Sequence, residues 1–137
     1  MKASILIVDT DPALEMMVAE CVNGAQAEIE MVSDVRAARA FVEEQSATML
    51  VINADLPRGW RFCTELKKDP NTSPIPLLIL SAKATEDVFH EHQRLPIRAN
   101  AYLRKPIEFD ELRVAFMGIL AGDIMPAIEV DLGIDVV

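Results

Sequence analysis

The sequence predicts a single α/β domain, a (βα)5 doubly wound fold with a five-stranded parallel sheet. Two observations predict it. Apolar segments of strand length alternate with helical patterns five times along the chain. Most of the strand segments are also apolar without alternation, which indicates strands covered by helices on both faces. With 137 residues, the chain has the length of one domain.

The first half of the chain contains three predicted strands and two predicted helices. The strands are predicted at residues 4–8, 28–32 and 48–53. The two helices are predicted to begin at caps formed by Asp11 and Ser33. Asp11-Pro12 is typical of a helix start, because the carboxylate accepts a free N–H and proline fits the first helical position. Asn23-Gly24 predicts the end of that helix. The second strand alternates polar and apolar residues, which predicts a place near the edge of the sheet.

The second half continues the alternation as far as residue 121. Strands are predicted at residues 77–80 and 101–103, and helices at residues 60–68, 85–94 and 108–121. Thr85 is the predicted cap of the fourth helix, and Leu95-Pro96 ends that helix because proline lacks the N–H that a helix needs. We therefore assign residues 1–121 to the domain. Residues 122–137 carry four acidic residues and no basic one, and are predicted to be an acidic linker or a C-terminal extension.

Composition and charge exclude several classes of function. The chain has 13 Lys and Arg against 22 Asp and Glu, a net charge of −9 that argues against direct contact with nucleic acid or anionic lipid. No apolar run reaches the ~18 residues of a membrane span. The N-terminal segment lacks the pattern of a signal peptide, so we expect a cytoplasmic protein without membrane contact. The two cysteines, Cys21 and Cys63, lie far apart and are predicted to be free, buried thiols.

Polar side chains follow four of the five predicted strands. They are Asp9-Thr10-Asp11 after the first strand, Asn53-Ala54-Asp55 after the third, Ser81 after the fourth and Lys105 after the fifth. Because ligands bind at the carboxyl ends of the strands in an open parallel sheet, we expect these side chains to meet at one edge. The sequence contains no nucleophile–base pair and no nucleotide-binding motif, so we do not expect an enzyme. Asp11 is interpreted as a helix cap and not as a metal ligand.

Four motifs resemble, in order and spacing, the receiver domain of bacterial two-component response regulators, over about residues 3–121. They are Ile-Leu-Ile-Val-Asp9, Asn53-x-x-x-Pro57, Leu80-Ser81-Ala82 and Tyr102-Leu-Arg-Lys105-Pro106. The resemblance implies a flavodoxin-like fold in which an aspartate after the third strand accepts a phosphoryl group. It also implies two acids that hold Mg²⁺, and a Ser or Thr and a Lys that contact the phosphoryl group. Ser81 and Lys105 match the last two roles; Tyr102 matches the aromatic switch position, with Arg104 and Pro106 in the same switch and interaction region.

Two positions depart from the pattern of the family. The acceptor position is Asn53, whose amide lacks the anionic oxygen that attacks phosphorus. The acid pair falls on Asp9 and Thr10, so Asp9 is the one retained candidate ligand, and we expect Mg²⁺ binding to be weak or absent, with no cofactor. We expect instead that Asp9 pairs with Lys105, while Asn53 and the hydroxyls of Thr10 and Ser81 complete a neutral hydrogen-bonded set.

These features predict a pseudo-receiver, a signalling module that acts by protein–protein interaction without phosphorylation. Its expected partner is another signalling protein or a C-terminal output region of the same chain, and a homodimer remains open. One alternative is a working receiver that is phosphorylated at an atypical acid such as Asp55, whose carbonyl the resemblance assigns to the metal shell. Another is an α/β domain that binds an anion or small molecule with Ser81 and Lys105. The sequence does not set the orientation of Tyr102.

Three further residues receive structural interpretations. His90 and His92 lie two positions apart on the fourth helix, a spacing that does not suit a metal site, and both are predicted at the surface. Trp60 is predicted either in the core at the start of the third helix or at a partly exposed contact position. Pro96 predicts an altered shape for the surface made by the fourth helix, the fifth strand and the fifth helix.

Overall fold

The computed structural model describes residues 3–22 and 27–120, which form strands and helices in strict alternation. The strands are β1 (Ala3–Val8), β2 (Ala27–Val32), β3 (Met49–Asn53), β4 (Leu77–Ser81) and β5 (Ala101–Arg104). The helices are α1 (Pro12–Cys21), α2 (Val35–Glu44), α3 (Gly59–Lys68), α4 (Glu86–Gln93) and α5 (Phe109–Leu120). All neighbouring strands pair in parallel, in the order β2-β1-β3-β4-β5. This confirms the predicted (βα)5 doubly wound sheet.

The two faces of the sheet carry separate hydrophobic cores. One core joins the sheet to α1 and α5, and the other joins it to α2, α3 and α4. Every residue of β3 and β4 is buried, as the unbroken apolar segments predict. β2 lies at an edge of the sheet and alternates between half-buried and exposed residues over most of its length, which confirms the prediction from its sequence pattern.

The helix starts follow the capping rules, with one correction. Asp11 caps α1 by accepting the N–H of Ala13, and Thr85 caps α4 by accepting the N–H of Val88. The prediction that Ser33 caps α2 is wrong: Asp34 is the cap, because its carboxylate reaches the N–H of Ala37 at 2.8 Å. The predicted helix end at Asn23-Gly24 and the predicted extension at residues 122–137 lie outside the described residues.

The loop between β3 and α3 is tight. A Cβ on Gly59 would lie 2.5 Å from the carbonyl oxygen of Ala54, so glycine is required for this close approach. Arg58, which precedes it, has a left-handed backbone with φ of 64°. Asp55 belongs to this loop, and the close approach of Ala54 to Gly59 therefore keeps it near the start of α3.

The two cysteines are free. Cys63 is fully buried as predicted, but Cys21 is only half-buried, so the prediction of a buried thiol is wrong for Cys21. Burial raises the pKa of the Cys63 thiol to about 12. In the described part of the chain, no helix has the length and apolar character needed to cross a membrane.

Candidate functional site

The carboxyl ends of the strands place four of the predicted site residues at one edge of the sheet. The parallel register sets Val8 beside Ile52, so Asp9 and Asn53 follow as neighbours. The backbone hydrogen bonds continue past the strand ends, with the N–H of Ala54 donating to Leu80 and the N–H of Lys105 donating to Ser81. The backbones that carry the site are therefore fixed by the sheet itself.

Asp9 is the centre of a first polar network. Its Oδ2 lies 2.8 Å from Nζ of Lys105. Its Oδ1 accepts the side-chain amide of Asn53 at 3.1 Å and the backbone N–H of Thr10 at 2.6 Å. The Asp9 side chain is 1% exposed and that of Lys105 20% exposed, so a buried charge is matched by one cation and two neutral donors.

Two of the predicted partners of Asp9 take other positions. Thr10 is exposed and contributes its backbone N–H, where its hydroxyl was expected. The hydroxyl of Ser81 donates to Asp55 and not toward Asp9. The predicted single pocket is therefore divided into two networks. Asn53 joins them, because its Oδ1 accepts the N–H of Asp55 at 3.0 Å.

Asp55 is the centre of the second network. Its Oδ1 accepts the Ser81 hydroxyl at 2.6 Å, and its Oδ2 accepts the N–H groups of Ala82 at 2.7 Å and Lys83 at 3.2 Å. Burial by itself would raise the pKa of this carboxyl, but the three hydrogen bonds and the charge of Lys83 together lower it. Sequence reasoning missed these contacts, because backbone N–H groups leave no signal in the residue types.

Tyr102 points into the protein. Its side chain is fully buried, and its oxygen accepts the N–H of Ala99 at 2.9 Å and lies 2.6 Å from Nδ1 of His92. Burial raises the pKa of the Tyr102 phenol to about 12. The orientation that the sequence left open is thus inward, with the ring packed against Phe89.

The prediction that His90 and His92 are surface residues is wrong, because both are half-buried. His92 contacts Tyr102 and also Trp60, whose ring centroid lies 5.2 Å from its own. Its Nε2 is buried and has no hydrogen-bond partner among the described residues. Phe89 and His92 share one face of α4 because they are three residues apart. The three-residue spacing from the apolar Phe89 was the feature of the sequence that could have predicted the burial of His92. Burial lowers the pKa of His92.

The remaining candidate residues lie at the rim of the site. Arg104 and Pro106 are exposed, and the Lys105–Pro106 peptide bond is cis. Trp60 is half-buried and packs against the core at the start of α3, so it is both a core residue and a partly exposed one. An open cleft of about 460 Å³ borders both networks, with Asp55, Lys105 and Pro106 in its lining.

The comparisons with known proteins agree on one family. The family model for the response regulator receiver domain matches residues 5–117. The transcriptional regulatory protein PhoB of the phosphate regulon of Pseudomonas aeruginosa is 29% identical over 119 residues, 85% of this chain and 51% of its own length. The DNA-binding dual master transcriptional regulator RpaA of Synechocystis is 27% identical over 110 residues, 79% of this chain and 45% of its own length.

A solved structure shows the same fold. The chemotaxis response regulator CheY4 of Vibrio cholerae superposes with a TM-score of 0.68 at 20% identity, covering 89% of this chain and 98% of its own. The flavodoxin-like architecture implied by the sequence is thereby confirmed. The chain spans about half the length of the two curated relatives.

Proposed function

Because the chain belongs to the response regulator receiver domain family, we propose that it is a pseudo-receiver. It works in two-component signalling as a receiver domain does, but without phosphorylation of its acceptor position. It acts by binding a protein partner and not by catalysing a reaction. Its conformation is accordingly set by contacts within the chain and with that partner.

The contacts of Asn53 are the observation that carries this proposal. The side chain is 8% exposed, its Nδ2 donates to Asp9, and its Oδ1 accepts from the N–H of Asp55. An aspartate at this position would place a second carboxylate against Asp9, where the amide supplies a hydrogen. The neutral amide is thus used by the network, and it lacks the anionic oxygen that would attack phosphorus.

Mg²⁺ binding is proposed to be weak or absent, and no cofactor is proposed. Mg²⁺ needs near-octahedral oxygen ligands, with carboxylates among them. Both oxygens of Asp9 are engaged by Lys105, Asn53 and Thr10, and the carboxylate of Asp55 is engaged at the end of β4. Within residues 3–22 and 27–120, no group of three or more Asp, Glu, His or Cys side chains is arranged to hold a metal ion.

The proposed partner is another signalling protein or an output region that follows the domain in the same chain. The half-length match to two transcriptional regulators supports the second arrangement. The net charge of −9 supports a domain that leaves nucleic acid contact to other parts of the system. Action in the cytoplasm is part of the proposal, and self-association through α4, β5 and α5 is one form that the interaction can take.

Intact-mass spectrometry tests the proposal. The protein is incubated with Mg²⁺ and acetyl phosphate, next to the Asn53→Asp variant, which restores the carboxylate at the acceptor position. We expect no phosphoryl adduct on the wild-type chain. An adduct on the wild type would contradict the proposal, and an adduct confined to Asn53→Asp would support it.

Asp55 supports a second candidate function, a working receiver with a displaced acceptor. Its carboxylate lies at the same edge of the sheet and contacts Ser81, the residue that matches the phosphoryl-binding position. The same experiment with Asp55→Asn distinguishes the two functions. A wild-type adduct that is lost in Asp55→Asn would establish the second candidate.

A further inference from the structure

Three hydrogen-bond donors at the end of β4 converge on one anion. The Ser81 hydroxyl and the N–H groups of Ala82 and Lys83 all point to the carboxylate of Asp55, at 2.6, 2.7 and 3.2 Å. We propose that Asp55 is the resident occupant of this oxyanion site and that its carboxylate fixes the loop into α4 without any external anion. This inference rests on the proposed function, because it explains how a receiver domain holds this loop while it stays unphosphorylated.

The direction of the Ser81 hydroxyl supports a site built for an anion. Ser81 is fully buried, and its Oγ accepts the N–H of Ala84 at 2.9 Å. Its hydrogen is therefore free to point outward, where the Asp55 carboxylate accepts it. Consecutive backbone N–H groups form a concave surface that suits an anion of either carboxylate or phosphate type. All the donors of this site are thus occupied by one side chain of the same chain.

The β3–α3 loop holds Asp55 in position. Asn53 accepts the N–H of Asp55 through its side chain and the N–H of Leu56 through its backbone. Gly59 donates to Leu56, and Ala54 packs against Gly59 with no room for a Cβ. With its backbone fixed from both sides, Asp55 presents its carboxylate with little loss of freedom, which favours the intramolecular contact over a free anion.

The contact bears on the placement of α4. The residues bound by Asp55 and Ser81 form the turn that leads into the helix, and Ala84 packs into the same core as Phe89 and Tyr102. Phe89 and His92 of α4 also contact the Tyr102 ring. Asp55 is therefore a positioning residue for the start of α4. The rest of that helix packs against the buried ring of Tyr102 through Phe89 and His92.

A phosphate titration followed by NMR tests the proposal. Labelled wild-type protein, Asp55→Ala and the control Asp11→Asn are titrated with inorganic phosphate, without Mg²⁺ or a phosphodonor. Asp11 lies at the same edge and its loss removes the same charge, but it contacts Ala13 and not the end of β4. We expect saturable shifts at the N–H groups of Ala82 and Lys83 in Asp55→Ala, with an apparent affinity at least tenfold higher than in the other two proteins.

The absence of a response in Asp55→Ala, or an equal response in wild type and variant, would overturn the proposal. If Asp55→Ala does not fold, Asp55→Asn keeps the side-chain volume and carries the test through hydrogen exchange. We expect protection at Ala82 and Lys83 to fall at least tenfold in Asp55→Asn, and unchanged protection would count against the proposal. A phosphoryl adduct on the wild type contradicts the proposed function by a separate measurement, so the two failures are distinguishable.

Discussion

At the scale of single residues, the site is governed by a buried charge and its compensation. Asp9 is almost completely buried, and Lys105 is the one cation bonded to it in the described structure. A buried carboxylate that loses its cation keeps the cost of desolvation and loses the attraction that offsets it. The ion pair between the ends of β1 and β5 is therefore expected to matter for folding.

Lys105→Met should lower the free energy of unfolding by about 3 kcal/mol, because it leaves Asp9 buried without its cation. Urea denaturation at neutral pH measures the change. Lys68→Met removes an exposed lysine at the end of α3 and should change stability by less than about 0.5 kcal/mol. Adding Asp9→Asn to Lys105→Met should recover part of the loss. The account would be contradicted if the double variant lost as much free energy of unfolding as Lys105→Met and Asp9→Asn lose when their separate effects are added.

Arg58 has a backbone conformation that is energetically unfavourable for a residue with a side chain. Its φ is 64°, a region that glycine enters freely and other L-residues enter at a cost. Arg58→Gly should therefore raise the free energy of unfolding by about 1 kcal/mol. Arg61→Gly, the same substitution inside α3, should lower it by about 1 kcal/mol. Two changes of the same sign in urea denaturation would count against strain at Arg58.

The amino-acid sequence predicted the contacts of some site residues and not those of others. The pairing of Asp9 with Lys105 followed from opposite charges placed at the ends of two predicted strands, and the structure brings these atoms to 2.8 Å. The contacts of Asp55 did not follow, because two of its three donors are backbone N–H groups. Their direction depends on the turn after Ser81, which only the three-dimensional structure gives.

At the scale of elements, α4 and β5 form the least predictable part of the fold. The strands and helices themselves were predicted within about two residues, since apolar segments and capping residues mark them. The face that α4 buries was not predicted. His92 lies against Tyr102 because Phe89, one turn earlier on the helix, anchors the same face in the core.

The burial of His92 makes stability depend on pH. Burial lowers its pKa from the ordinary value of 6.5. The unfolded chain then binds the proton more readily, so the stability of the fold should fall as the pH drops below about 6.5, until the pKa of the folded state is passed. His92→Gln should reduce this loss, which denaturation between about pH 7 and about pH 5 measures.

His90 provides the matched control on the same helix. His92 is the imidazole that contacts Tyr102 and Trp60, so the loss assigned to His92 should remain in His90→Gln. Parallel stability profiles for wild type and His92→Gln over the same range would show that His92 does not cause the loss. The comparison therefore isolates one imidazole of the two in the chain.

At the scale of the whole molecule, the proposed function requires that the two networks replace what a metal ion and a phosphoryl group would supply. Lys105 and Asn53 neutralise and bind Asp9, and the end of β4 binds Asp55. In the described structure, each charge of these networks has a donor or a counter-ion, so under the proposed function we expect little gain from adding a cation. We therefore expect the proposed pseudo-receiver to respond to its partner, because these networks give no bias toward a second state.

Restoring the missing carboxylates should reverse this property. In Asn53→Asp with Thr10→Asp, three acidic side chains meet at one edge, and two unit charges about 4 Å apart repel by about 4 kcal/mol at an effective dielectric constant of 20. The variant should be less stable than wild type without metal and should regain stability in millimolar Mg²⁺, because an ion that binds only the folded state stabilises it.

Thermal unfolding with and without Mg²⁺, and calorimetric titration, measure the effect. The wild type should show no Mg²⁺-dependent shift. Gln45→Glu with Asn71→Asp provides a control in which two acids are added at exposed positions in the connections that lead into β3 and β4. A double variant that binds no Mg²⁺ would mean that residues 10 and 53 do not face a common ion. The close approach of Asn53 Nδ2 to Asp9, at 3.1 Å, argues that residue 53 does. If Mg²⁺ stabilises the variant Asn53→Asp with Thr10→Asp, then substitutions at these two positions are enough to make the domain a metal-binding receiver.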